Sequence, residues 1–177
     1  MQSERLARFE ENRQGIIDRS QNADAFYIKL LSAHVVTAFE AYLSGLTFDL
    51  LKTEEELMVE LSKTEKFKAQ KIPLPHALKI DVKKYFLAQV SKITFHNLSE
   101  VEPIFREAFG VRVPLTDPVL KSIETRHHIV HRDGYTKDGV PVSVDRDTLL
   151  NTLEEFAGVV EEIDRQAVSR YPAIPCA

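Results

Sequence analysis

Cysteine is almost missing from this chain: the one present, Cys176, is the penultimate residue. Without an intramolecular partner it excludes a disulfide framework and any multi-cysteine zinc site, and a reducing, cytoplasmic setting fits it best. Glycine is scarce too, and the six present never cluster into a phosphate-cradling loop. Gly-x-Ser-x-Gly and His-Glu-x-x-His motifs are both absent, which argues against a serine hydrolase and a zinc peptidase. Positive charge is not in excess: 23 Lys+Arg stand against 27 Asp+Glu, a net charge of −4. A uniformly basic nucleic-acid coat is thereby excluded. The opening MQSERLARFEENR mixes acids and bases without an apolar centre, so it does not read as a secretory signal.

The longest apolar run, LLSAHVVTAFEAYLSGLTF between Lys29 and Asp49, approaches the roughly 20 residues that cross a bilayer. Glu40 near its middle costs about 2.5 kcal/mol or more in that role, and His34, Ser32, Thr37 and Ser44 lower the apolar average. The run reads instead as a buried central helix and gives no membrane association. Its small residues Ala33, Ala38, Ala41, Ser44 and Gly45 let neighbouring helices approach closely.

What is there is helical. With 177 residues and 44% hydrophobic content, the chain has the size of one globular domain, assigned to 1–170, with 171–177 expected as a flexible tail. Leu6, Phe9, Ile16 and Ile17 mark a helix from about Glu4 to Ser20, and the central helix runs from about Asp24 to Lys52. Thr53-Glu54-Glu55-Glu56 reads as a capping box opening a short helix with Leu57 and Leu61. Ile72-Pro73-Leu74-Pro75 reads as an extended linker. Leu78, Val82, Phe86, Val90 and Ile93 predict one helix to about Thr94. Ser99-Glu100-Val101-Glu102 reads as a second capping box, with its helix ending at Gly110. Asp117-Pro118 predicts an N-cap and first-turn proline for a helix that stops before Asp133-Gly134. A small hairpin or ordered loop follows, and Leu149, Leu153, Phe156, Val160 and Ile163 stripe the last helix. The fold class is all-α, a bundle around a long central helix.

Two features bear on function. Eight lysines between positions 63 and 92 face only Glu65 and Asp81, a local charge of +6 against about −10 elsewhere; this marks either an anion-binding surface or a plain solvated face. The second is Thr125-Arg126-His127-His128-Ile129-Val130-His131-Arg132-Asp133-Gly134, which gathers three of six histidines at one helix end, where carbonyls favour a protonated imidazole. At about 100° per residue, Arg126 falls on the apolar stripe of Val119, Ile123 and Val130. Either it pairs with Glu40, the lone acid of the central helix, or the stripe is an interface and the arginine faces a polyanion. His127 and His131 have the i, i+4 spacing of a chelating pair but no evident third ligand, so no metal is expected. His34 and His96 read as core or edge histidines. Arg126 and His131 are offset by about 140° around the helix and ~7.5 Å along it, which predicts that one chain does not aim both at one atom.

The run Arg126-His127-His128-Ile129-Val130-His131 resembles the Arg, polar residue, three residues, His signature of the HEPN superfamily. Glu40-Ala41-Tyr42 in a long early helix and Ile93-Thr94-Phe95-His96-Asn97-Leu98 are similar to uncharacterised bacterial members, over roughly residues 24–170. The resemblance implies a metal-independent endoribonuclease without a cofactor, acting as a homodimer around a shared cleft, and often a toxin or phage-defence protein with a cognate antitoxin. It implies 2′-OH attack giving 2′,3′-cyclic phosphate and 5′-OH ends. His131 is then the acid/base, Arg126 the phosphate-binding cation, His127 an auxiliary donor and Glu40 a supporting group. RNA contacts would come from Lys66, Lys68, Lys71, Lys83, Lys84 and Arg132. The rival expectations are a non-catalytic helical interaction module and a nucleotide-binding protein of the same superfamily.

Overall fold

Ser3 caps the first helix by accepting the Leu6 amide, and Asp24 and Asp145 do the same for two longer ones through Tyr27 and Thr148. These short polar caps precede the long amphipathic or apolar runs, and the helices start where they stand. In a computed structural model, which describes residues 2–177, they are α1 (Glu4–Ser20), α2 (Ala25–Thr53) and α8 (Arg146–Arg170). Between them lie α3 (Glu56–Lys63), α4 (Leu74–Ala77), α5 (Val82–Val90), α6 (Leu98–Ile104) and α7 (Asp117–His131), with a π-helical turn at Phe105–Phe109. The described residues form no strand, only isolated bridges between Ser3 and Cys176 and between Tyr135 and Pro141.

The core sits around α2, which packs against α1, α7 and α8. Phe39 on α2 meets Phe156 on α8 edge-on at 5.0 Å, and both rings are fully buried; each such ring contributes about 1.5–3 kcal/mol by leaving water. Phe105 and Phe109 fill the other end, where α3 packs on the π turn. No helix among the described residues is long and apolar enough to cross a membrane.

Several local expectations change. Thr53 is the last residue of α2, and α3 starts after Glu55 with no side-chain cap, because the Thr53 hydroxyl is turned back to the carbonyls of Asp49 and Leu50. The helix expected from Leu78 to about Thr94 is shorter, α5 starting at Val82 because Asp81 caps it through the Lys84 amide, and ending at Val90; the expected linker Ile72–Pro75 is extended only as far as Pro73, after which the single turn α4 begins with Pro75 in its first turn. Leu78 and Val82 are accordingly solvent-exposed. Ser99 does not cap α6, whose N-cap is Asn97. Pro103 removes one backbone donor inside α6, and the next turn widens into π geometry before Gly110 ends it in the left-handed conformation, φ 62°. The cap of α7 is Thr116, one residue before the expected Asp117. The segment after α7 is a loop closed by Thr136 and Val140 and by Val142 and Gly134.

The end of the chain is not a loose tail. Glu4 donates its amide to Pro175 and Ala177 donates to Gln2, while Ile174 is buried. Both chain ends meet over Asp164, a buried carboxylate on α8 that accepts from the Ser3 amide at 3.0 Å, from the Ser3 hydroxyl and from Tyr42 Oη at 3.3 Å.

Candidate functional site

α7 lies on the bundle surface, with Val119 and His128 as its buried residues. Its C-terminal end is held rather than frayed. The amides of Arg132 and Gly134 both donate to the His128 carbonyl, and Asp133 and Gly134 adopt positive φ, 52° and 81°. The non-glycine Asp133 stores modest strain in this cap. His128 is buried and accepts from Arg132 Nη1 through Nδ1 at 2.9 Å, so Arg132 serves partly as an inner brace.

This fixed end presents Arg126, His127 and His131 together. Arg126 Nη1 lies 3.4 Å from His131 Nε2 within one chain. The expectation that the helical offset keeps them apart is overturned, because the long arginine side chain spans the angle. A guanidinium only donates, so this contact is a hydrogen bond when the lone pair of His131 is on Nε2. The His127 and His131 rings are 4.8 Å apart, tilted by 47°. Loss of solvent around the His127 ring and the nearby positive charges of Arg132, His131, His128 and Arg126 hold its pKa below the ordinary 6.5. His127 is therefore neutral at pH 7, a donor or acceptor rather than a cation.

Beneath the histidines, Arg126 is 15% exposed and reaches toward α2, with Nη2 4.0 Å from Glu40 Oε1. Glu40 is shared: the same oxygen is 2.5 Å from His96 Nδ1. Neither contact has hydrogen-bond alignment, and Glu40 Oε1 and Arg126 Nε are buried without a hydrogen-bond partner. Leaving such groups unsatisfied costs about 1–3 kcal/mol each. His96, read from sequence as a core or edge histidine, is half-buried and reaches Glu40 from the loop between α5 and α6. Its nearness to Glu40 depends on how that loop returns to α2, which no short-range pattern encodes.

The lysine-rich segment divides. Lys66 is paired with Glu100 at 2.7 Å, Lys83 with Glu55 at 2.6 Å and Lys68 with Glu65. Three of the five lysines expected at RNA are thus partly neutralised by carboxylates, two of them from outside the segment, while Lys71 and Lys84 have no ion-pair partner among the described residues. Among those residues no group of three or more His, Cys, Asp or Glu side chains is placed to hold a metal ion. Comparisons of the chain with protein families, with curated proteins and with solved structures find no match.

Proposed function

We propose that the protein is a metal-independent endoribonuclease of HEPN type, cleaving RNA by attack of the 2′-OH on the adjacent phosphate. The observation that carries this reading is the 3.4 Å approach of Arg126 Nη1 to His131 Nε2 on an open surface, backed by an arginine Nε that is buried and unsatisfied. RNA cleavage without a metal needs a base for the 2′-OH proton, an acid for the departing 5′-oxygen and a cation at the phosphorane-like transition state. His131 supplies proton transfer and Arg126 the cation. An arriving phosphate takes the guanidinium donors, which frees the Nε2 lone pair of His131. His127, neutral and adjacent, hydrogen-bonds the phosphate or ribose. Lys71 and Lys84 are the cations free to follow the RNA backbone.

A homodimer belongs to the same proposal. Leu120 and Val130 on α7 are 44% and 50% exposed, so the outer face of the motif helix carries apolar surface that a second copy would cover in a C2 arrangement. The toxin or phage-defence setting and a cognate antitoxin follow from the resemblance. Incubating the purified protein with mixed RNA in EDTA and analysing the product ends tests the reading. Cyclic phosphate and 5′-OH ends are expected. Cleavage abolished by EDTA and restored by zinc would move the His127–His131 pair to a metal site.

A further inference from the structure

We infer that the groove between α1 and α2 is a binding site for a phosphorylated nucleoside, its phosphates on the α1 wall and its base on the α2 wall. The inference goes beyond the ribonuclease reading and holds whether or not the protein cleaves RNA. The groove has a volume of about 770 Å³, within the roughly 300–1,000 Å³ usual for small-molecule sites. None of the side chains placed at the α7 site lines it.

The two walls differ in chemistry. At about 100° per residue, Arg8, Asn12, Gly15 and Arg19 fall within about 60° of one another on α1, and all four line the groove. Arg5 and Arg13 of the same helix are taken up by carboxylates; Arg8 and Arg19 have no ion-pair partner among the described residues. Glu11 is the one acid of the lining. The α2 wall presents Tyr27 and Leu30, 41% and 44% exposed, with His34 beyond them and buried Leu31 and Ile16 as the floor. The Tyr27 hydroxyl and the His34 ring have no hydrogen-bond partner among the described residues. Guanidinium matches phosphate through paired donors, and an aromatic face stacks on a base. An aliphatic tail would need an enclosed apolar cavity, whereas this groove is open and edged by polar groups, which suits a heteroaromatic ring.

Gly15 supplies an independent sign. A glycine inside a helix lowers its stability, and here no neighbouring helix needs the space: the atoms that a Cβ at 15 would meet are Arg19 Nη1 at 2.6 Å and Cζ at 3.9 Å. The missing side chain lets Arg19 fold back by one turn, where Nη1 donates to the Gly15 carbonyl at 2.8 Å. Its guanidinium thereby lies along the groove, with its other donors open to an anion. Arg8 and Gly15 are about 10 Å apart along α1, a separation that two arginine side chains can close onto one diphosphate.

Calorimetric titration tests the site with ADP, adenosine, inorganic pyrophosphate and a short 2′-O-methyl oligoadenylate, which 2′-OH attack cannot cleave. ADP is expected to saturate one site, and adenosine and pyrophosphate, each meeting one wall, to bind about tenfold more weakly or worse. Arg8→Gln and Tyr27→Ala, both at exposed positions, each weaken ADP about tenfold, as loss of one charge-assisted pair or one stacked base requires. Gly15→Ala melts no lower than wild type yet binds ADP about threefold more weakly or worse, because its Cβ displaces Arg19. His131→Ala keeps the wild-type ADP affinity. Oligoadenylate held more tightly than ADP, and lost in the same variants, makes the ligand a nucleotide of an RNA strand; ADP held more tightly makes it a free nucleotide. No saturable binding of either, pyrophosphate as tight as ADP, an affinity unchanged in Arg8→Gln and Tyr27→Ala, or one lost in His131→Ala overturns the site and leaves the ribonuclease reading standing. A protein inert on RNA that binds ADP as described overturns the ribonuclease reading and keeps this site.

Discussion

Arg126 occupies a position where neither burial nor exposure satisfies it. Its Nε is shut away from water without an acceptor, its Nη2 stops 4.0 Å short of Glu40, and its Nη1 leans on a histidine. A purely structural arginine at this place would close onto Glu40 in the bidentate fork that guanidinium and carboxylate favour; Arg5 does so with Asp49, at 2.6 and 2.8 Å. The incomplete pairing at Arg126 leaves donors for an anion. His131 bears no such packing duty, being exposed at the last position of α7. His131→Ala is therefore expected to change unfolding free energy by less than about 0.5 kcal/mol while lowering RNA cleavage by 100-fold or more. Denaturant titration beside an RNA assay checks both, and a variant cleaving at the wild-type rate would remove His131 from the chemistry.

At the scale of elements, helix ends carry most of the testable physics. Gly110 closes the π turn at φ 62°, and a Cβ there would stand 2.7 Å from Arg170 Cζ. The arginine is flexible and can move; the backbone conformation cannot be relieved. Gly110→Ala is thus expected to cost about 1 kcal/mol, and Gly110→Asn less, since asparagine tolerates this region better; thermal unfolding of the pair reads the difference. The start of α8 reports on acid. The hydrogen bonds of Thr148 to Asp145 hold that carboxyl below its ordinary 3.8. A group depressed on folding stabilises above its unfolded pKa, and that contribution is lost as pH falls through the folded value. Asp145→Asn keeps a capping oxygen but cannot titrate. Its melting temperature should lie slightly below wild type at pH 7 and fall less steeply below about pH 4, so that the two converge in acid.

For the whole molecule, the decisive contacts join parts far apart in sequence. α1 is clamped to α2 by Arg5 on the buried carboxylate of Asp49, and the arginine stem lies directly over Gly45. The small residues of α2 thus admit a charged side chain as well as neighbouring helices. A Cβ at 45 would meet Arg5 Cδ at 2.7 Å and Nε at 2.9 Å. Gly45→Ala gains up to about 1 kcal/mol of helix propensity but dislodges the partner of a buried charge, a loss of about 3 kcal/mol or more for a fully buried pair. Arg5 is partly exposed, so a net destabilisation of about 1–2 kcal/mol is expected after that discount. In an Arg5→Ala background the same Gly45→Ala change should turn stabilising, and a double-mutant cycle by chemical denaturation measures the reversal.

Periodicity, caps and breakers act within a turn or two, and these the amino-acid order alone determined: the all-α class, the extents of α1, α2, α7 and α8, the end at Gly110, and the gathering of Arg126, His127 and His131 on one helix end. Where two local signals competed, pattern was insufficient. Leu78 and Val82 keep a helical spacing, but Asp81 starts its own helix and leaves both in solvent. Only tertiary structure decided that the last residues pair with the first, that Glu100 and Glu55 reach Lys66 and Lys83, and that Glu40 stands between Arg126 and His96. Each of these contacts joins groups many turns apart. Their free energy depends on how the bundle packs as a whole, and a side chain as long as arginine's can reach across an angle that the helix backbone alone would forbid.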